Sequence, residues 1–421
     1  MCFRLTLVES IPENLTYPSG SILHPSTYTS WRDLIQGANE SIDIASFYWT
    51  MRSDDLNVTD PSDWQGEAIF DHLLQAGKER GVKIRIAQNL PSPSEPNKDT
   101  ELLHSVGAAE VRSLNFSRYF EQGGILHTKL WIIDGIHVYI GSANMDWRSL
   151  TQVKEMGAVV SHCPCIAQDV LKLFEVYWLL AEPDAVIPSP WPLKYRTTHS
   201  MDAPFRVAFN DIPAEVFLSS SPPPFCPPQR TSDIDAILHV ISRAQHFVYV
   251  AVMDYFPITL YGKSTKFWPV IDDALRKAAV ERGVRVRLLA SWWSHSRRDL
   301  PKYLKSLEAL DGAAGASIEV RLFHVPAYSK AQANIPYARV NHNKYMVTDN
   351  AAYIGTSNWS ADYFISTGGV GLIINQTEAI LQQNATRTTQ QQLAETFERD
   401  WDSSYALPVK DLPLLQSKHR L

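Results

Sequence analysis

The sequence predicts an α/β protein of two similar domains, each a mixed β-sheet flanked by helices, related by a pseudo-two-fold axis. Three internal matches carry that reading. Glu79 to Ile86 (ERGVKIRI) recurs as Glu281 to Leu288 (ERGVRVRL). Upstream, Ser41 to Trp49 corresponds to Phe247 to Phe256, and residues 125–144 correspond to 340–358. In the first of these matches a helical pattern ends at glycine, and a strand of alternating basic and apolar residues comes next in both copies.

Each half then reads as strand, helix, strand, helix, strand, strand, helix. A Pro-punctuated stretch from about Pro183 to Pro228, with Ser219-Ser220-Ser221-Pro222-Pro223-Pro224, separates the halves. Glu215 to Leu218 parallels Leu5 to Val8 and is expected to open the second half as a strand. The domains are placed at 1–195 and 196–421, with the chemistry at their junction. Two independent domains on a linker are the alternative, which paired site fragments disfavour.

Length and charge narrow the function classes. With 421 residues the chain buries a large core, and a formal net charge of −6 argues against coating nucleic acid by bulk electrostatics. An anionic substrate must be drawn in by local positive charge. No apolar run is long enough to cross a bilayer, and Met1 to Val8 is too short for a signal peptide. The expectation is a cytosolic chain, or one whose targeting segment lies outside it. Sequons at Asn14, Asn39, Asn57, Asn115, Asn375 and Asn384 favour passage through a secretory compartment. A further sequon, Asn358, falls inside a motif and is expected to be unused. Of Cys2, Cys163, Cys165 and Cys226, a bridge from Cys2 to Cys163 or Cys165 is expected if the chain is luminal. Cys163-Pro-Cys165 lacks zinc spacing, so no metal site is expected.

The third match contains the residues that carry chemistry. His127-Thr128-Lys129 with Asp134 is followed by Gly141-Ser142-Ala143-Asn144; His342-Asn343-Lys344 with Asp349 is followed by Gly355-Thr356-Ser357-Asn358. On a strand, residues two apart share a face, so His and Lys of each copy project together, as do Ser142 and Asn144. Two imidazoles, two ammoniums and two carboxamides can converge on a phosphodiester. One neutral imidazole attacks phosphorus while the other, protonated, serves the leaving oxygen. Lysine and asparagine donors stabilise the growing negative charge, so neither a metal nor another cofactor is expected. One neutral and one protonated histidine predict a bell-shaped pH profile with its maximum below 7.

Over nearly its whole length the chain resembles the phospholipase D superfamily, in its endolysosomal branch of phospholipases D3 and D4. The carrying stretches are Leu126 to Lys154, Pro336 to Trp359 and Phe397 to Tyr405 (FERDWDSSY). The resemblance implies 5′-to-3′ exonuclease action on single-stranded DNA and RNA in an acidic lumen, endolysosomal or secreted. It also implies an N-terminal membrane anchor, which this chain is expected to lack. Phospholipid cleavage or phosphatidyl transfer at the same site is the alternative, and a silent scaffold is disfavoured by two intact motifs. A homodimer is allowed but not required.

The resemblance also assigns roles. Glu155 stands where superfamily members carry an acid that reaches across to the other half's histidine, while Ser366 to Gly371 offers none. Carried over, Glu155 orients His342, making His342 the nucleophile and His127 the general acid. The catalytic set expected is His127, Lys129, Asp134, Asn144, Glu155, His342, Lys344, Asp349 and Asn358. Asp349 restores the superfamily pattern, from which some members of this branch depart by carrying Glu at that position. Candidate substrate contacts are Ser142, Ser357, Tyr48 and Trp292. Phe47, Tyr48, Trp49, Tyr255, Phe256, Trp292 and Trp293 come after strands whose C-terminal ends face the site. They either stack on bases or pack the core, with packing the commoner fate of aromatic rings. Lys83, Arg85, Arg285 and Arg287 read as solvated strand faces.

Overall fold

The protein is described by a computed structural model covering residues 3–56, 58, 60–377 and 387–412. Helix signals sit where local chemistry requires them. The Ser26 hydroxyl accepts from Thr29 N–H, and the Ser232 hydroxyl accepts from Asp235 N–H, opening the equivalent helices Thr27–Gly37 and Asp233–Arg243. Thr388 and Gln391 form a reciprocal capping box at helix Thr389–Trp401. Gly283, at φ 65°, ends helix Val270–Arg282 in the left-handed region, and its N–H caps the last turn.

Two large mixed sheets result. In the first, neighbours run Arg4–Ser10, Glu155–Ser161, His137–Gly141, Leu130–Ile133, Ser41–Ser46, Lys83–Asn89, Glu110–Leu114. In the second, Ile212–Ser221, Gly369–Asn375, Ala352–Gly355, Lys344–Thr348, Phe247–Val252, Arg285–Ser291 and Ile318–Phe323 keep the same order, position by position. Phe205–Phe209 and Ala406–Pro408 extend its two edges, and Thr231–Ser232 pairs with Ile212–Ser221. The α/β class is confirmed, with more strands per half than the sequence pattern suggested. Glu110–Leu114 is short and Glu155–Ser161 is buried along nearly its whole length, so neither shows the alternation by which periodicity would announce it. The strand expected at Glu215 to Leu218 lies within Ile212–Ser221.

One apolar cluster joins the halves: Leu130, Ile140 and Ala158 of the first sheet pack with Leu218, Ile354 and Leu372 of the second, beneath helix Pro164–Leu180. Separate clusters fill the outer layers, around Trp31, Trp131 and Tyr139 in one half and Val250, Leu288 and Met346 in the other. Arg85 and Arg287 are half-buried rather than simply solvated. Arg85 pairs with Asp43 at 2.6 Å and Glu175 at 2.8 Å, and Arg287 with Glu319 at 2.9 Å.

Cys163, Cys165 and Cys226 are free thiols, with Cys163 and Cys165 Sγ atoms 3.4 Å apart; Cys2 lies outside the described residues. The bridge expected from Cys2 to Cys163 or Cys165 therefore lies outside the described residues. Among the sequons, Asn14 and Asn39 are exposed, whereas Asn57 and Asn384 lie outside the described residues. Asn358 is 1% exposed, which leaves no room for a glycan. Among the described residues, no helix is long and apolar enough to cross a membrane.

Candidate active site

The histidines do not lie on the strands where the motif spacing placed them. His127 and Lys129 sit ahead of strand Leu130–Ile133, and His342 sits ahead of Lys344–Thr348, so the motif heads are not within their own sheets. They cross to the other half. His127 N–H donates to the Gly368 carbonyl and Gly368 N–H to the Ile125 carbonyl, both at 2.8 Å. Symmetrically, His342 N–H donates to the Lys154 carbonyl at 2.8 Å, and Lys154 N–H to the Val340 carbonyl at 2.9 Å. Each bridge sits just before the strand that comes after the other half's Gly-x-x-Asn turn. Backbone pairing across the seam thus fixes both imidazoles.

The residue after each bridge differs between the halves, and that difference breaks the symmetry of the chemistry. After Lys154 comes Glu155, whose carboxylate oxygens lie 3.0 and 2.9 Å from His342 Nδ1. After Gly368 comes Gly369, and His127 Nδ1 instead lies 2.9 Å from the Thr356 carbonyl. Both arrangements place the proton on Nδ1 and leave Nε2 to face the seam. Only His342 has an ionisable acceptor at Nδ1, and in its ionised form that partner favours a developing imidazolium.

Lys129 Nζ donates to its own motif's His127 carbonyl at 2.5 Å, and Lys344 Nζ to the His342 carbonyl at 2.7 Å. Asn144 Nδ2 lies 3.5 Å from the Tyr48 hydroxyl, and Asn358 Nδ2 donates to the Tyr363 hydroxyl at 3.0 Å. The carbonyl oxygens of Asn144 and Asn358 are buried without a protein partner. His127, Lys129, His342 and Lys344 are all buried.

Burying this much positive charge has titration consequences. Burial, then Lys129 and Lys344, hold His127 well below the ordinary imidazole range. His342 is depressed by burial and then by Lys344 and Lys129. Lys344 is brought down to about 7, chiefly by burial, against the pull of Glu155 and Asp254. Burial lifts Glu155 to about 8 although Lys344, Ser142 and Lys129 favour its ionised form. Two ammoniums held out of water beside one carboxylate make a centre that an anion stabilises.

Several expected site residues have other duties. Asp134 accepts backbone N–H bonds from Asn39, Glu40 and Ser41 at 2.8–2.9 Å, at the end of strand Leu130–Ile133 remote from His127. Asp349 does the same for Gln245, His246 and Phe247 at 2.9–3.2 Å. Neither enters the catalytic centre. Each closes the turn that leads into the central strand of its sheet. Burial would raise Asp134, but the bonds from Ser41, Glu40 and Asn39 outweigh it and hold the carboxyl low. Asp134→Ala is therefore expected to lower stability by roughly 2 kcal/mol, because it orphans three amides, with little change in catalytic rate per folded molecule. Urea unfolding monitored beside activity checks this, and a dead but equally stable variant would restore Asp134 to the chemistry.

Ser142 is not a substrate contact: its hydroxyl donates to Glu155 Oε2 at 2.5 Å, supporting the carboxylate that holds His342. Ser357 is fully buried. Trp292 is 9% exposed in the second-half core, so base stacking at that ring is excluded in favour of packing. Tyr48 lies beside the centre, donating to Asp146 at 2.7 Å. Sequence reasoning missed the other wall. Tyr363 stands edge-on to His127 with ring centroids 5.0 Å apart, and Tyr261, 65% exposed, lies 6.3 Å beyond it. Asp362 accepts the Leu260 N–H at 2.5 Å and the Tyr261 N–H at 3.2 Å, fixing that loop. Asp254, the counterpart of Tyr48, is pushed up to about 6 by burial, against Lys344 and Arg297. Tyr261, Asp362 and Tyr363 belong to no repeated motif, which is why no sequence signal exposed them; Asp254 lies within the Phe247 to Phe256 match but differs in type from its counterpart Tyr48.

Fold and site together define a class: an α/β protein of two repeated sheets with a doubled His-x-Lys and Asn centre at their seam. The family described as "PLD3/4, PLD-like domain" matches residues 19–328. The chain is 49% identical to the 5′-3′ exonuclease PLD3 of Xenopus laevis, across 99% of this chain and 83% of that protein. It is 48% identical to the 5′-3′ exonuclease PLD3 of Homo sapiens, across 95% and 79%. To the 5′-3′ exonuclease PLD4 of Mus musculus it is 45% identical, across 96% and 80%. The crystal structure of the phosphatidylserine synthase of Haemophilus influenzae Rd KW20 has the same fold, at TM-score 0.58 and 14% identity over 93% of this chain and 90% of that one. The chain belongs to the PLD3/4 family of PLD-like domain proteins.

Proposed function

We propose that this chain is a phosphodiesterase that removes nucleotides from the 5′ end of single-stranded DNA and RNA through a covalent phosphohistidine. The observation that carries the chemistry is the Glu155–His342 contact across the seam, beside His127 and two buried ammoniums. The substrate class rests on relatives named 5′-3′ exonuclease. Catalysis is assigned to His127, Lys129, Asn144, Glu155, His342, Lys344 and Asn358, at the junction of domains 1–195 and 196–421.

In the proposed cycle His342 Nε2 attacks phosphorus as the P–O bond to the leaving group breaks. His127 gives its proton to that departing oxygen. Lys129, Lys344 and the two asparagine amides stabilise the equatorial oxygens. His127, now neutral, takes a proton from water, which attacks phosphorus and releases His342.

The pH dependence is set by His127. It must be protonated in the first step, yet burial and the two lysines depress its pKa. The free protein therefore works best in acid, which suits an endolysosomal lumen. A bound phosphodiester anion offsets the lysine charge and raises His127, so kcat should persist to higher pH than kcat/KM. The test is digestion of single-stranded oligonucleotides with free or blocked 5′ ends in EDTA, from pH 4.5 to 8. Shortening of the free-ended strand alone, with the basic limb of kcat shifted upward, is the expected result. No cleavage at any pH rejects the nuclease reading and directs the assay to phosphatidyl transfer.

A further inference from the structure

Beyond the catalytic centre, the rim of the second sheet carries an unusual group of rings. The extended chain leaving strand Arg285–Ser291 alternates its side chains, so Trp292 turns inward and Trp293 outward. Reciprocal bonds close the next turn: Trp293 N–H to the Ser296 hydroxyl and Ser296 N–H to the Trp293 carbonyl, both 3.0 Å. At its tip His295 is exposed and stacks on Tyr337, with centroids 4.5 Å apart and planes 16° from parallel. Trp293 packs against His295 at 4.8 Å.

Tyr337 is 61% exposed and has a φ of 55°, a left-handed conformation that costs a tyrosine and is stabilised by no burial of its ring. The surrounding structure holds it there. Arg148 donates to the preceding Pro336 carbonyl while pairing with Asp146, which accepts from Tyr48 beside Asn144. On the other flank the same turn runs into Arg297, which lies over the Phe256 ring at 5.8 Å, two residues from Asp254. The ring group is thus tied at both ends to walls of the catalytic centre. From Trp293 a groove of ≈ 700 Å³ leads outward past Tyr328 and Tyr405, with Lys330 at its edge.

We infer that Tyr337, His295 and Trp293 form a nucleobase-binding subsite on the active-site rim, taking unpaired bases of the substrate strand downstream of the bond being cut. The inference rests on the nuclease reading above. The three rings pack on one another, and Tyr337, still 61% exposed, offers an aromatic surface that suits any base, while only an unpaired base can present its face. The groove beyond gives the rest of the strand a course away from the centre, and Lys330 offers a phosphate contact.

The test compares KM for a ten-nucleotide oligothymidylate with KM for thymidine 5′-p-nitrophenyl phosphate, which is too short to reach the rings. Variants are Tyr337→Asn, whose side chain tolerates the left-handed region, and His295→Ala. Each should raise the oligonucleotide KM about tenfold, the order expected for loss of one stacked base. Neither should change kcat or the constants for the small diester. Unchanged oligonucleotide KM in both variants, or an equal loss on the small diester, overturns the subsite. A wild-type protein that cleaves the small diester but no oligonucleotide overturns the nuclease reading itself, and the subsite with it.

Discussion

His127→Ala is expected to accumulate a stoichiometric phosphoryl adduct on His342 when given a p-nitrophenyl phosphodiester, whereas His342→Ala should release no burst at all. The asymmetry comes from what each ring touches. His342 has the ionisable Glu155 carboxyl at 2.9 Å to accept from Nδ1 and balance the charge it would gain as nucleophile; His127 has only the Thr356 carbonyl. A p-nitrophenolate departs without a proton, so loss of the general acid leaves the first step nearly intact. The second step needs His127 as base and stalls. On an ordinary oligonucleotide, whose alkoxide must be protonated, both variants should fall by about a thousandfold or more. Glu155→Gln should slow the burst without moving the adduct. Mass spectrometry of the trapped protein decides: a phosphoryl group on His127 would falsify the assignment.

Such division of labour between two like motifs was only partly legible in the sequence. The repeat, the α/β class and the paired His-x-Lys and Asn residues could be read because each is a local pattern present twice. Their roles were less plain. Asp134 and Asp349 recur as faithfully as the histidines, yet each caps the amides entering a central strand. A repeated spacing reports a shared requirement and does not distinguish folding from chemistry. Trp292 and Trp293 were equivalent in sequence; the register of the preceding strand sends one into the core and the other to the rim. Tyr261 of a loop, Tyr363 of the short helix Ala361–Ile365 and Asp254, which replaces Tyr48 of the first half, have no like residue in the other half, and only the tertiary fold brings them beside His127 and Lys344.

Asp400→Ala is expected to destabilise the protein by about 3–5 kcal/mol, the cost of leaving a buried charge without its partner. Asp400 lies in helix Thr389–Trp401, within the FERDWDSSY stretch, and is fully buried. Its carboxylate lies 2.8 Å from Lys154 Nζ and 3.0 Å from Arg399, and accepts the Tyr17 hydroxyl at 2.6 Å. Arg399 also pairs with Glu9 at 2.8 Å, so it keeps a partner when Asp400 is removed. Lys154 has no second carboxylate within ion-pair distance among the described residues. Lys154 is also the residue whose carbonyl holds His342 N–H and whose neighbour is Glu155. The C-terminal helix therefore anchors the seam strand that holds His342, the proposed nucleophile. Burial raises the Asp400 pKa, but Lys154 and Arg399 outweigh it and hold the group below its ordinary value. A depressed carboxyl stabilises the fold above its unfolded pKa, about 3.9, and loses that contribution only as pH falls through the lower folded value. The pair accordingly persists at pH 5, where the proposed chemistry operates. A double-mutant cycle with Lys154→Met separates the pair from packing: the double variant should recover much of the loss, since neither charge is then stranded. Additive losses in denaturant unfolding would show that Lys154 and Asp400 act independently, and the helix would then have no special hold on the catalytic strand.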